Sequence, residues 1–157
     1  MKVRNAKMAD AKAIYSLISC YAERDKMLFR SLASIYEDIQ TFSVAEADGQ
    51  IIGCCSLQII WSDLAEVKSL AVDKDYLGRE VGKKLIGNLI KQAKALGLSR
   101  LFALTLTPEF FHKLGFKKVE KNTLPMKVWR DCAKCPKQQN CDEIAVMKRL
   151  RVSRKKS

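Results

Sequence analysis

The stretch from Ala65 to Leu85, AEVKSLAVDKDYLGREVGKKL, constrains this chain more than any other. Glu66 to Asp73 predicts a strand, because Val67, Leu70, Ala71 and Val72 are apolar and neither Pro nor Gly interrupts them. Lys74 to Gly78 is a short polar turn. Apolar residues then recur at helical spacing, at Val81, Leu85, Ile86, Leu89, Ile90, Ala93 and Leu96, until Gly97 stops the pattern. A strand, a glycine-containing turn and a helix start, in that order, gather unpaired amide N–H groups and the positive end of a helix dipole at one point. Gly78 and Gly82 would let the backbone approach a bulky phosphate. The residues therefore predict a site for a phosphate-bearing ligand at Gly78, Arg79, Glu80, Val81, Gly82 and Lys83.

The remaining elements can be taken in order. Lys2 to Ala6 predicts a short strand, and Asp10 caps a helix whose apolar face is Ala13, Ile14, Leu17, Ile18 and Tyr21. Glu23 to Arg30 is charged and aperiodic, hence a loop, and Ser31 caps a second helix running to Ile39. Phe42 to Ala47 alternates as a strand, Asp48-Gly49 is a hairpin turn, and Gln50 to Ile60 returns. Beyond Gly97, Arg100 to Thr105 predicts a buried strand and Pro108 opens a short helix, with Phe110, Phe111 and Leu114 apolar and Gly115 ending it. Phe116 to Glu120 and Glu143 to Leu150 are the last two strands, around a polar insertion at 121–142. The order is β-α-α-β-β-β-α-β-α-β-β, an α/β chain read as one domain over 1–150 with a basic tail at 151–157.

Charge and length narrow the function classes. A chain of 157 residues with 48% hydrophobic residues can bury a proper core. No run approaches the roughly 18 apolar residues of a membrane span, and the N-terminus has no apolar signal core, so a cytoplasmic location without membrane contact is expected. The formal charge of +12 raises nucleic acid as a partner. Six of the last ten residues are basic, however, and the interior cations share helix faces with acids and lack interleaved aromatics. A solvated face and a basic tail account for the charge, as would attraction of an anionic cofactor and an acidic substrate.

The Leu70-Ala71-Val72 strand followed by the glycine-bearing turn resembles motif A of the GNAT superfamily of N-acetyltransferases, in which Arg/Gln-x-x-Gly-x-Gly/Ala holds the pyrophosphate of acetyl-CoA. Gly82 matches outright, whereas Leu77 stands at the Arg/Gln position and Glu80 at the first motif glycine. Phe110 to Phe116, FFHKLGF, is similar to the closing helix-Gly-Phe motif, and the element order is that of the superfamily. Within it, the chain resembles the short N-acetylglutamate synthase family through Leu28-Phe29-Arg30-Ser31, Ala65 to Val72, Phe110-Phe111, Leu124-Pro125 and the Cys132…Cys135…Cys141 stretch.

The resemblance implies a GNAT fold, a mixed and mostly antiparallel sheet flanked by helices, with acetyl-CoA as cosubstrate. It further implies transfer of the acetyl group to the α-amine of L-glutamate, as in arginine biosynthesis. Backbone N–H groups of Leu70, Ala71 and Val72 would hold the acetyl carbonyl and pantetheine, and 78–83 the pyrophosphate. Glu66 is the candidate base, acting through water; the alternative is a surface carboxylate paired to a lysine. Arg30 matches the family arginine that pairs with substrate carboxylate, against the alternative of a solvent-exposed loop arginine. A second family arginine falls on Leu106, with Lys127 a conceivable substitute. Many superfamily members use a tyrosine as acid where Phe111 stands; Phe111 is then core, and Tyr21 or Tyr76 could replace it. His112 falls on the polar side of its short helix.

Cys20, Cys54 and Cys55 lie in apolar patterns, as small hydrophobes. The spacing of Cys132, Cys135 and Cys141 is compatible with zinc, a labile disulfide or reduced thiols, and no metal site is assigned. Three other functions remain open on the sequence alone. The chain could acetylate another amine, such as a polyamine or a protein N-terminus; it could be a fold that binds acetyl-CoA without turnover; or it could be a basic nucleic-acid module. A homodimer is compatible with the fold.

Overall fold

The predicted order of elements is the order found in the structure, a computed structural model that describes residues 1–23, 27, 29–124 and 143–151. The strands are β1 (Lys2–Asn5), β2 (Phe42–Ala47), β3 (Gln50–Trp61), β4 (Leu64–Val72), β5 (Arg100–Thr105), β6 (Lys117–Lys118) and β7 (Ile144–Arg149). The helices are α1 (Ala11–Ala22), α2 (Leu32–Glu37), α3 (Val81–Ala95) and α4 (Pro108–His112). The strands form a mixed, mostly antiparallel sheet in the order β1-β2-β3-β4-β5-β7-β6. Contacts divide the chain into two units, 1–57 with 67–92 and 58–66 with the described residues from 93 onward. The boundaries fall within β3, β4 and α3.

In the first unit, β1, β2 and β3 pair antiparallel, and Asp48 (φ 51°) and Gly49 (φ 76°) supply the left-handed pair that a two-residue hairpin turn requires. Ile14 and Ile18 of α1 and Ile35 of α2 are fully buried with Phe42, Val44, Cys54 and Ala71. Each such isoleucine contributes roughly 1.5–3 kcal/mol. Ser31 caps α2 as expected, its hydroxyl accepting from Ser34 N at 3.1 Å, but α2 ends at Glu37 and a separate 3-10 turn spans Ile39–Thr41.

Two local expectations are corrected. Asp10 does not cap α1 through its side chain. Arg4 donates to both its oxygens (2.8 and 3.1 Å) and Lys7 N adds a third bond at 2.7 Å, so the carboxylate closes the 3-10 turn at Met8–Asp10 instead. Cys20 is exposed rather than apolar-packed, while Cys54 and Cys55 are buried as expected.

In the second unit, Leu64 to Glu66 of β4 run parallel to Arg100 to Phe102 of β5, and β7 pairs antiparallel with both β5 and β6. Ile60, Leu64, Phe102, Leu124 and Ala145 form its core. Arg100 grips Asp63 at the start of β5 with bonds of 3.1 and 3.2 Å. Gly97 (φ 82°) ends α3, with Leu98 N returning to Ala93 O at 2.9 Å. The strand expected from Phe116 to Glu120 is reduced to two residues. No helix among the described residues is long and apolar enough to cross a membrane.

Arg4, donating to both oxygens, holds the Asp10 carboxyl below the usual carboxylate range, against the opposing effect of burial. A lowered folded pKa means that the stabilisation is complete above the unfolded value near pH 4 and disappears as pH falls through the folded one. Asp10→Asn should therefore cost about 1.5–3 kcal/mol at pH 7. It should also flatten the decline in melting temperature below pH 4. Parallel declines in both proteins would show that this carboxylate does not drive acid unfolding.

Candidate active site

Burial along β4 changes character midway. Leu64 to Val67 are all buried, Lys68 to Leu70 are half-buried, and Ala71 and Val72 are buried again. The change coincides with Ser69, whose φ of 55° is left-handed, a conformation that costs a non-glycine residue about 1–2 kcal/mol. Such a residue inside a strand interrupts its extended geometry and turns the chain locally. Side chains of β3 serve the carbonyls at the bend. Ser56 Oγ donates to Lys68 O at 3.3 Å, and Cys54 Sγ donates to Ser69 O at 3.5 Å. Burial pushes the Cys54 thiol up to about 12, so it keeps the proton it donates. Farther on, Tyr21 of α1 donates its hydroxyl to Val72 O at 2.5 Å. Leu70, Ala71 and Val72 thus lie immediately after the left-handed Ser69, with the last carbonyl tied to α1.

The turn after β4 is held by a bond back to β3 and by bonds within itself. Asp73 N donates to Ile52 O at 2.7 Å, and the Asp73 carboxylate accepts from Asp75 N at 2.9 Å. Gly78 (φ 77°) and Glu80 (φ 63°) are both left-handed, and Lys84 N reaches back to Glu80 O at 3.1 Å to open α3. Left-handed residues at a turn curve the backbone so that successive N–H groups line a concavity, the geometry that accepts anions. The fifteen-residue α3 adds its dipole at the same place. Arg79, Lys83 and Lys84 are exposed cations here, Arg79 lying 5.3 Å from the centre of the Tyr76 ring. The Glu80 side chain points to solvent, 66% exposed, with its carboxylate 3.9 Å from Lys83 Nζ. Leu77 is exposed and offers no charge to an anion. Val81 is buried and Gly82 half-buried. The Glu80 side chain thus lies outside the turn that its backbone helps to form.

Gly53 determines how closely α3 approaches β3, and sequence reasoning alone does not single it out. A Cβ there would stand 2.9 Å from Val81 Cγ1 and 3.0 Å from Leu85 Cδ1, so any larger residue would force these two α3 side chains to shift. The available signal is a lone glycine within a strand pattern, which marks close approach by another element.

Glu66 precedes Ser69 by three residues and is 5% exposed, so the surface-carboxylate alternative does not hold. Arg30 belongs to the first unit and is not a solvent-exposed loop residue: its side chain is 16% exposed. Its Nε and Nη2 donate to Ser34 Oγ at 3.3 and 3.1 Å, Nη2 also donates to Asp38 Oδ2, and the guanidinium sits 5.1 Å from the centre of the Phe42 ring. Its charge is felt at the Cys54 thiol, which donates to the Ser69 carbonyl.

The other candidates separate cleanly. Phe111 is buried, in edge contact with Phe110 and Phe116, and has no proton to give. Tyr21 already donates its proton to Val72 O, and Tyr76 lies against Arg79. His112 is exposed, and Leu106 is 38% exposed. Leu28, Pro125, Lys127, Cys132, Cys135, Cys141 and the tail from 152 lie outside the described residues.

Comparison with known proteins is consistent with this geometry. Residues 10–116 match the model of the acetyltransferase (GNAT) family. An uncharacterized N-acetyltransferase of Chlorobaculum tepidum is 43% identical over 148 residues, covering 94% of this chain and 96% of that protein. An amino-acid acetyltransferase of Mycobacterium tuberculosis is 36% identical over 130 residues, covering 81% and 74%. The crystal structure of N-acetylglutamate synthase from Neisseria gonorrhoeae, complexed with coenzyme A and N-acetyl-glutamate, superposes with a TM-score of 0.88 at 30% identity. That match covers 96% of this chain and 35% of the synthase. A strand with a left-handed residue, a turn with two more and a matching family model lead to one conclusion: the chain belongs to the acetyltransferase (GNAT) family and is an acetyl-CoA-dependent N-acetyltransferase.

Proposed function

We propose that the acceptor is the α-amine of an amino acid, L-glutamate, and that the reaction is the acetylation that opens arginine biosynthesis. The observation that carries this reading is the likeness, over 96% of the chain, to a synthase solved with N-acetyl-glutamate and coenzyme A. The amino-acid acetyltransferase relative, matched over 74% of its length, supports it.

Acetyl-CoA supplies the acetyl group already activated as a thioester. In this reading the chain's residues have four tasks. Backbone N–H groups at 78–83 hold the pyrophosphate, and those of Leu70 to Val72 hold the pantetheine and the acetyl carbonyl. Glu66, buried on β4, takes the proton of the incoming ammonium through water, because only the neutral amine is nucleophilic. Arg30 binds a carboxylate of the acceptor, its plane already set by Ser34 and Phe42. With Phe111 unable to donate, water protonates the departing thiolate.

A second reading, another amine as acceptor, is favoured by one feature. Leu106 replaces the second arginine that the synthase resemblance implies, which leaves Arg30 as the only assigned carboxylate anchor. Acetyl-CoA consumption across glutamate, glutamine, other amino acids, a polyamine and a peptide N-terminus distinguishes the two. Glutamate should give the highest kcat/KM; a carboxylate-free amine preferred tenfold or more would replace this reading with the second.

Glu66→Gln should lower kcat by roughly 10²–10⁴-fold, the usual loss of a general base, with little change in acetyl-CoA affinity. A rate within a few fold of wild type at neutral pH would remove Glu66 from the mechanism. Arg30→Ala should weaken glutamate by about 1.5–3 kcal/mol, the value of a hydrogen bond to a charged group. If a carboxylate-free amine suffers as much, Arg30 serves the fold and not the substrate.

A further inference from the structure

Arg30 and Asp38 flank the six-residue helix α2, one on each side, and the guanidinium lies back along the helix to reach the carboxylate. An arginine can grip a carboxylate with two parallel bonds from either of two edges, Nε with Nη2 or Nη1 with Nη2. Both edges need Nη2. Here Nη2 donates to Ser34 Oγ and to Asp38 Oδ2, and Nε donates to Ser34 Oγ. Nη1 alone makes no bond with the described residues. A carboxylate arriving while Asp38 is in place would therefore find one donor instead of a fork, beside a like charge.

Asp38 can give way readily. Its side chain is 52% exposed, so water receives the carboxylate if it turns aside. Ser34 and the Phe42 ring would still fix the guanidinium plane.

We infer that Asp38 is a specificity-determining residue that competes with the acceptor's carboxylate for Arg30. This rests on the reading of Arg30 as the carboxylate anchor. While no acceptor is bound, Asp38 neutralises a half-buried cation that would otherwise be left unpaired. When an acceptor enters, only a carboxylate placed well enough to displace Asp38 gains the fork. The residue thus weakens acidic acceptors in general and sharpens the choice among them.

The test measures KM and kcat for glutamate and its two monoamides with wild type, Asp38→Asn and Asp38→Ser. Asparagine keeps an acceptor oxygen for Nη2 but carries no charge; serine removes both the charge and the reach. Like charges about 6 Å apart repel by about threefold in binding in water, and more where water is partly excluded. Both variants should lower KM for glutamate three- to tenfold, with kcat within about twofold and the acetyl-CoA KM unchanged. The monoamide lacking the carboxylate that Arg30 holds, identified as the one whose KM is insensitive to Arg30→Ala, should show no fall. A glutamate KM that stays the same or rises in both variants would overturn the inference, as would an equal fall for all three acceptors. Wild type acetylating none of the three would instead remove the glutamate reading beneath it, and the inference with it.

Discussion

A left-handed serine in the middle of a buried strand is the constraint on which the candidate site depends. Ser69 bends β4 where its neighbours change from buried to half-buried, and the bend determines where the amides of Leu70 to Val72 fall. The strain of about 1–2 kcal/mol is sustained by the groups around it. Ser56 and Cys54 serve the carbonyls on the bend, and Tyr21 ties down the end of the strand. Gly53, two residues from the Ser43–Cys55 pairing on β3, admits the first turn of α3 close against the sheet. The N-terminal end of α3 is thereby placed by packing within the first unit rather than by the loop alone.

Charge around that turn is secondary to backbone geometry. Glu80 occupies a position where the family resemblance expects glycine, and at about 6 Å from a pyrophosphate charge it would repel by roughly 0.7 kcal/mol in water and about 3 kcal/mol at an effective dielectric of 20. Its exposure puts it near the watery end of that range, and Lys83 offsets part of the charge. The positive φ explains why glycine is expected there: the position needs a left-handed residue, and Glu80 adopts that conformation at a cost. The N–H it offers is the same whatever the side chain.

Features set by local chemistry are legible in the sequence. The Asp48-Gly49 turn, the Ser31 cap, Pro108 at the start of α4 and Gly97 after α3 are each decided by a residue and its near neighbours, and each stands where the sequence places it. Features decided by distant partners are not legible. Asp10 looks like a helix cap because it precedes an apolar periodic run, yet Arg4 on β1 draws its carboxylate away. Cys20 lies on the apolar pattern of α1 but on its exposed side. In the site, glycine spacing locates 78–83, but the strain at Ser69 and the contact at Gly53 require knowing that α3 folds against β3. The role of Asp38 is hidden because an ion pair closed across a six-residue helix leaves no periodic trace.

The proposed role of 78–83 requires that its backbone bind acetyl-CoA in spite of Glu80. The decisive measurement is calorimetric titration of acetyl-CoA into wild type and Glu80→Gly, at low and high salt. Wild type should bind one equivalent, and the glycine variant should bind at most about tenfold more tightly, with the difference narrowing as salt screens the repulsion. Absence of binding by wild type, restored by Glu80→Gly, would show that the Glu80 carboxylate closes this turn to the cosubstrate.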